Sequence, residues 1–396
     1  MKKCIQFTFL LLVAFGCKKT DIQETIILPE LEIPIVKIQT KNNQTIVSKT
    51  EYIDADLSIL GLKKYENFKE RIKIKGRGNT TWAYKKKPYH IEFINSVDLF
   101  SLGSDKDWLL IANYLDKNHI LNATAFTIAE VLQMPFTPKF KPVEVQLNGS
   151  FLGLYLLTEQ IEKEKTRVNI DEKGLILELD KYYNDFNKFR SKQYSLPINI
   201  KYPKVLKAND LNNIKESFDE MESSVFSTQF PNTNYTDLID IESLCNFMIV
   251  SYLTDNQELN HPKSVFMHKN ETGKFNMGPV WDFDWAFSYK PNSYFISSSN
   301  ELFWKSSSEG TRFFSRFFLD PKFKSLFKTK WEEFRATKYG SVIEFIDVYS
   351  KAIEKSRNSD NGKWFNTYTD YPSEISRMKS WMNNRAYYVD NMVKDW

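Results

Sequence analysis

The chain changes its hydrophobic period near residue 208. Up to about residue 180, apolar residues alternate with polar ones in short runs broken by Gly, Pro and Asn. Beyond 208 they recur every three or four positions, apart from a hairpin-like stretch at 264–287. Alternation is the mark of a half-buried strand, and the longer period that of a helix with one buried face. Strands gathered first and helices later predict an α+β fold. Its strand-rich N-terminal lobe should run from about 34 to 180 with one clear helix, and its mainly helical C-terminal lobe from about 181 to 396. A body of this length can fill two cores. The segment Tyr182–Pro203 has no period and reads as an insertion or a substrate-facing loop. There is no internal repeat. Aromatic residues make up 15% of the chain, interleaved with other apolar residues inside elements, which reads as a large aromatic core.

The first residues carry an address. Lys2 and Lys3 precede an apolar run from Ile5 to Phe15, so residues 1–16 read as a signal peptide, too short to span a membrane. Val13-Ala-Phe-Gly-Cys17 resembles a bacterial lipoprotein cleavage box, with Ala14 where leucine is usual. Cys17 would then be the lipidated first residue and 17–33 a tether; an ordinary signal peptide with an unrelated cysteine is the other reading. The expectation is an exported protein held by lipid in the bacterial cell envelope, at the outer membrane. With Cys4 removed and Cys17 lipidated, Cys245 stands alone in the mature chain, so no disulfide framework forms. Four histidines without a His-x-x-x-His pattern argue against a histidine zinc site, and a net charge of +4 gives no footprint for nucleic acid.

Chemistry concentrates between residues 240 and 290. Ile241, Leu244, Cys245, Met248 and Tyr252 recur at helical spacing behind Asp240, a candidate N-cap, and Cys245 reads as a core residue of that helix. Thr254-Asp255-Asn-Gln-Glu-Leu-Asn260 follows it, then the turn Asn270-Glu-Thr-Gly273, then Val280-Trp-Asp282-Phe-Asp284-Trp285. From Lys274 to Tyr289 the apolar residues fall on odd positions, which predicts a strand with Asp282 and Asp284 on one face, roughly 6–7 Å apart. Two carboxylates so close repel unless a proton or cation sits between them, and Mg²⁺ or Mn²⁺ suits oxygen ligands at neutral pH. An Asp, an Asn five positions later and a strand-borne Asp after a hairpin follow the order of a kinase catalytic loop and metal-binding strand. On that reading Asp255 accepts the proton of the attacking hydroxyl, while Asn260, Asp282 and Asp284 hold the metal. The blander reading is an edge strand with an acidic outer face.

Phosphate needs cations and close backbone. Gly76-Arg77-Gly78-Asn79 lies between a basic run and a second strand, where glycines let N–H groups approach phosphate oxygens; alone it reads more readily as a plain hairpin turn, and its value comes from the strand that follows. Lys86 or Lys87, at the head of the strand carrying Tyr89, Ile91 and Phe93, could reach phosphate, against the alternative of a solvated Lys85-Lys86-Lys87 cluster. Glu159, ending the strand Phe151–Leu157 after the Asn148-Gly149 turn, and Glu130, on a helix over 124–132, are candidate partners for nucleotide or lysine.

These segments, with Arg71-Ile-Lys-Ile-Lys-Gly76-Arg77-Gly78-Asn-Thr-Thr-Trp82, Trp108–Asp116 and Leu147–Ile161, resemble the CotH family of spore-coat-type atypical protein kinases over nearly all of the mature sequence. The resemblance implies a two-lobed protein-kinase-like domain over 34–396. It also implies ATP with Mg²⁺ or Mn²⁺, and phosphoryl transfer to Ser or Thr of a protein substrate. One departure is Leu121, where the family usually has an arginine before Asn122. The alternative is a non-catalytic surface lipoprotein that uses the same fold to bind a glycan or a protein partner.

Overall fold

In the computed structural model, residues 33–291, 293–367 and 369–396 are described; the signal peptide and Cys17 lie outside them. Seven strands form a closed barrel in the order β1-β2-β3-β4-β5-β7-β6. They are β1 (Ile35–Thr40), β2 (Ile53–Leu60), β3 (Lys69–Gly76), β4 (Tyr89–Asp98), β5 (Ser104–Ile111), β6 (Phe140–Leu147) and β7 (Ser150–Glu159). Neighbours pair antiparallel except β1 and β6, whose parallel pairing closes the barrel and leaves no edge. The alternation of these strands sends Leu57, Ile74, Ile91, Trp108, Val145 and Leu157 inward to a core of their own. The tight β6–β7 turn is Asn148-Gly149, both with positive φ, as a two-residue hairpin needs.

Helix α1 (Leu121–Val131) lies in the chain between β5 and β6 and packs mainly on helices of the C-terminal half, with Phe126 also against Phe140 of β6. A second sheet holds β8 (Leu175–Leu179), β9 (Lys188–Arg190), β10 (Pro197–Tyr202), β11 (Val265–Lys269) and β12 (Asn276–Met277), in the order β12-β11-β8-β10-β9. Around it are α2 (Asp210–Phe226), α3 (Tyr235–Leu238), α4 (Ile241–Thr254), α5 (Glu309–Phe314), α6 (Pro321–Thr337), α7 (Tyr339–Phe365) and α8 (Tyr371–Val393). One large core runs through these elements, aromatic as expected, with Cys245 fully inside it. The class is α+β; the N-terminal strands make a barrel, and the second sheet draws strands from both sides of the expected lobe boundary.

Helix α7 packs onto the barrel strands β6 and β7 at several points, Asp360 among them. Asp360 accepts from the Leu154 N–H at 2.8 Å, next to Gly153, whose φ is +116°. A Cβ on Gly153 would stand 2.0 Å from an Asp360 oxygen, so only glycine admits this contact.

The strand expected over Lys274–Tyr289 is a correction. The ladder stops at Met277, and Gly278–Tyr289 is irregular. Pro279 has no N–H to continue pairing, and Asp282 adopts φ 60°, which breaks the pleat. Asp282 and Asp284 therefore lie on a bent loop, not along one strand face.

Candidate active site

A cleft of about 590 Å³ opens where the barrel, the second sheet and this acidic loop meet. Each wall supplies charge. The end of β3 brings Lys75, Gly76, Arg77 and Gly78; β8 and β10 bring Glu178 and Lys201; the turn after α4 brings Glu258 and Lys263; the loop brings Asp282 and Asp284. Tyr84, Tyr182 and Trp285 rim it.

Asp282 and Asp284 both line the cleft. Burial first, and then the charge of Asp282, push the Asp284 carboxyl well above the ordinary range. Asp282 is likewise raised by burial, against the pull of Arg77 and Lys263. The charges of Asp282 and Glu258 both bear on Asp284, a repulsion that a divalent cation would relieve.

The loop that holds Asp255 is folded as expected, but it presents a different acid. Helix α4 begins at Asp240, which accepts from the Ser243 N–H at 2.7 Å, and ends where Asp255 takes φ 49°. That left-handed cap turns the Asp255 carboxylate inward, where Asn300 donates to it at 2.8 Å and Arg385 lies 3.5 Å away. Asp255 is fully buried and does not line the cleft. Asn260 is also consumed internally: its amide donates to the Gln257 and Leu302 carbonyls, and its oxygen accepts from Thr311. Between them, on the 3-10 turn Gln257–Asn260, Glu258 lines the cleft. Its carboxylate pairs with Lys263 at 2.7 Å, and the Lys263 ammonium sits 3.6 Å from the centre of the Trp285 ring. Burial, then the charge of Asp282, raise Glu258 to about 7 despite Lys263. A buried carboxyl poised near neutrality in a cleft is a functional-site signature. Sequence spacing missed it because Asp255 and Asn260 bracket it and matched the expected pattern themselves.

The glycine turn departs from its expected role in part. The Gly76 and Arg77 N–H groups are used inside the protein, donating to the Ser48 and Pro88 carbonyls. Gly76 is small because the Trp82 ring lies where its Cβ would be, at 2.2 Å. What the turn offers the cleft is the Arg77 guanidinium, 5.5 Å from the Trp281 ring and coupled electrostatically to Asp282 and Glu178, together with Gly78 at φ 86°.

Neither lysine presents a free ammonium. Lys86 borders the cleft, but its Nζ is fully buried, donating to Asp360 and to the Leu154 carbonyl at 2.5 Å each and lying over the Tyr155 ring. Burial lowers it to about 8, partly offset by Asp360. Lys87 donates to the Trp82 carbonyl. The lysine's acidic partner is thus Asp360, on α7, and neither Glu130 nor Glu159. Glu159 accepts from the Lys139 N–H outside the cleft.

Asn122, one residue past the departure at Leu121, is buried at the base of the cleft and touches the acidic loop. A separate triad, Asp105, Asp107 and Glu162, brings carboxylate oxygens within 4.8 Å of one another. Arg167 already sits among them, 2.9 Å from Asp105 and 2.8 Å from Glu162, and His90 is 2.5 Å from Asp107. That cluster is a charge network, balanced by a guanidinium.

No curated protein matches the chain. A family model described as CotH kinase protein matches residues 74–389, from the end of β3 into α8. The matched span contains every cleft acid, Arg77 and the Lys86–Asp360 pair, and the chain belongs to the CotH kinase protein family.

Proposed function

We propose that the protein transfers a phosphoryl group from a metal-bound nucleotide, ATP with Mg²⁺ or Mn²⁺, to a Ser or Thr hydroxyl of a protein. The carrying observation is the convergence of Glu258, Asp282 and Asp284 with Arg77 on one cleft. The family membership supports a kinase-like protein, and the cleft's size suits a nucleotide-sized ligand. On this reading the barrel with its acidic loop and the helical remainder act as the two halves of a kinase-like fold.

A bound divalent ion would neutralise charge on the transferring phosphate. Asp282 and Asp284 are the residues to hold it. Arg77 faces the phosphates as a delocalised, always-charged cation. Glu258 orients the acceptor hydroxyl and takes its proton; Lys263 and the Trp285 ring fix its carboxylate in place. The step forms an oxygen–phosphorus bond to the acceptor, breaks the bond to the nucleotide diphosphate and leaves the acceptor proton on Glu258. Asp255 and Asn260 belong to the scaffold in this scheme.

The second reading, a binding module for a glycan or protein, is favoured by two observations: the aromatic rim of the cleft and the engaged Lys86 ammonium. Calorimetry with ATP and Mn²⁺ separates the two. Binding together with transfer of radiolabelled phosphate supports the kinase reading; no nucleotide binding at millimolar ATP refutes it. We also place the protein in the bacterial envelope through a lipid on Cys17, on the strength of residues 1–17.

A further inference from the structure

The acidic loop would not keep its shape unaided. Asp282 is a non-glycine residue at φ 60°, a conformation that costs free energy unless neighbours impose it. Two groups grip the loop next to it. Tyr294 donates its hydroxyl to the Asp284 carbonyl at 2.7 Å. Asn122 does more. Its oxygen accepts from the Phe283 N–H at 2.8 Å, and its amide nitrogen donates to an Asp284 carboxylate oxygen at 2.9 Å and to Asn113 Oδ1 at 3.1 Å. The orientation of the amide is fixed by chemistry: a backbone N–H demands an oxygen opposite it, and two acceptors demand the nitrogen.

The platform beneath Asn122 is rigid. Asn122 sits in the first turn of α1, whose residues from Leu121 to Ala129 are all buried. Asp116 caps that helix, accepting from the Ile120 and Leu121 N–H groups at 2.6 and 2.8 Å. One side chain thus ties the main chain between the two acids, and one of the acids itself, to a capped and buried helix.

We propose that Asn122 is the positioning residue that holds Asp282 and Asp284 in the geometry needed to bind the catalytic cation, a role that rests on the phosphoryl-transfer reading above. Asn113 seconds it by orienting the amide. Residues that orient metal ligands in this way typically change metal affinity 10–100-fold when lost.

The test is Mn²⁺ titration of the full-length protein, followed by electron paramagnetic resonance of the free ion and needing no turnover. Parent, Asn122→Ala, Asn113→Ala and Asp282→Asn are compared, with melting temperatures alongside. Asn122→Ala should weaken Mn²⁺ binding by about 10–100-fold. Asn113→Ala, which loses one neutral hydrogen bond and leaves the loop contacts intact, should weaken it by about two- to tenfold. In transfer assays Asn122→Ala should lower kcat at saturating Mn²⁺ while KM for the acceptor holds. A lowered melting temperature with unchanged Mn²⁺ affinity makes Asn122 merely structural and overturns the proposal, leaving the kinase reading standing. Should Asn122→Ala fail to fold, unchanged affinity in Asn113→Ala overturns it equally. If the parent binds Mn²⁺ no better than Asp282→Asn does, the kinase reading falls and this proposal with it.

Discussion

Arg385 of α8 lies 3.5 Å from the carboxylate of Asp255 at the end of α4, and both side chains are fully buried. Arg385 also donates to the Tyr252 carbonyl at 2.6 Å and to the Asn300 carbonyl at 2.6 Å, so a single guanidinium joins α4, the 298–300 loop and α8. The acid that leads the kinase-like spacing is part of a structural clasp. Removing one partner of such a pair strands a buried charge, at a cost of about 3–5 kcal/mol. Asp255→Ala should therefore lower the denaturation midpoint strongly. The doubly substituted Asp255→Ala/Arg385→Met protein should recover part of that loss. Transfer by Asp255→Ala, measured well below its melting temperature, should fall by less than about tenfold, because no reacting group is lost.

Glu258→Gln should behave oppositely, keeping the fold and losing transfer by about 10²–10⁴-fold, the usual contribution of a general base. The parent's kcat/KM should rise with pH and level off above about 7, because Glu258 must be ionised to accept a proton. Stability runs the other way. The folded-state value lies above the unfolded one near 4.5, so the folded state favours the protonated acid. The resulting stability is complete below 4.5 and disappears as pH rises through 7. In metal-free buffer Glu258→Gln, which mimics the protonated acid, should match the parent's melting temperature at pH 4.5 and exceed it at pH 8. A parent that stays ahead at pH 8 contradicts this account of the site.

Lys86→Met tests the second buried pair. The methionine keeps the apolar stem over Tyr155 but leaves Asp360, among the described residues, with His119 at 3.1 Å and the Leu154 N–H as partners. The expected loss is about 3 kcal/mol. Affinity for ATP should change little, since the ammonium points at α7. Arg77→Met should do the reverse, weakening ATP binding at nearly constant melting temperature. Calorimetry and thermal unfolding on the same two proteins check both statements.

Much of the scaffold was legible in sequence. The Asp240 cap and the apolar spacing behind it gave α4, Asn148-Gly149 gave the β6–β7 hairpin, and Tyr89, Ile91 and Phe93 gave the inward face of β4. These features are local, set by residues a few positions apart. What was not legible depends on distance or on backbone dihedrals. Apolar residues keep alternating past Pro279 although the chain has left the sheet, because burial there is decided by packing against α1 and α8 and not by a pleat. Lys86 and Asp360 are 274 positions apart, and nothing near either names the other. Asp255 and Glu258 are three residues apart, and the left-handed turn at Asp255 decides which of them reaches the cleft.

Cys17→Ser addresses the envelope assignment. The substituted protein should remain unprocessed or become soluble and should leave the membrane fraction. Retention in the envelope after processing would place the anchor elsewhere.

The most direct test of the central claim is transfer of γ-phosphate from radiolabelled ATP, with Mn²⁺, to a Ser/Thr-rich protein. Parent, Asp255→Ala, Glu258→Gln and Asp282→Asn are assayed side by side at a temperature where all four are folded. The account predicts incorporation into hydroxyl residues by the parent and by Asp255→Ala within about tenfold of it, with Glu258→Gln and Asp282→Asn reduced by about 10²-fold or more. Glu258→Gln transferring as well as the parent, or Asp255→Ala falling as far as Asp282→Asn while still folded, would contradict it.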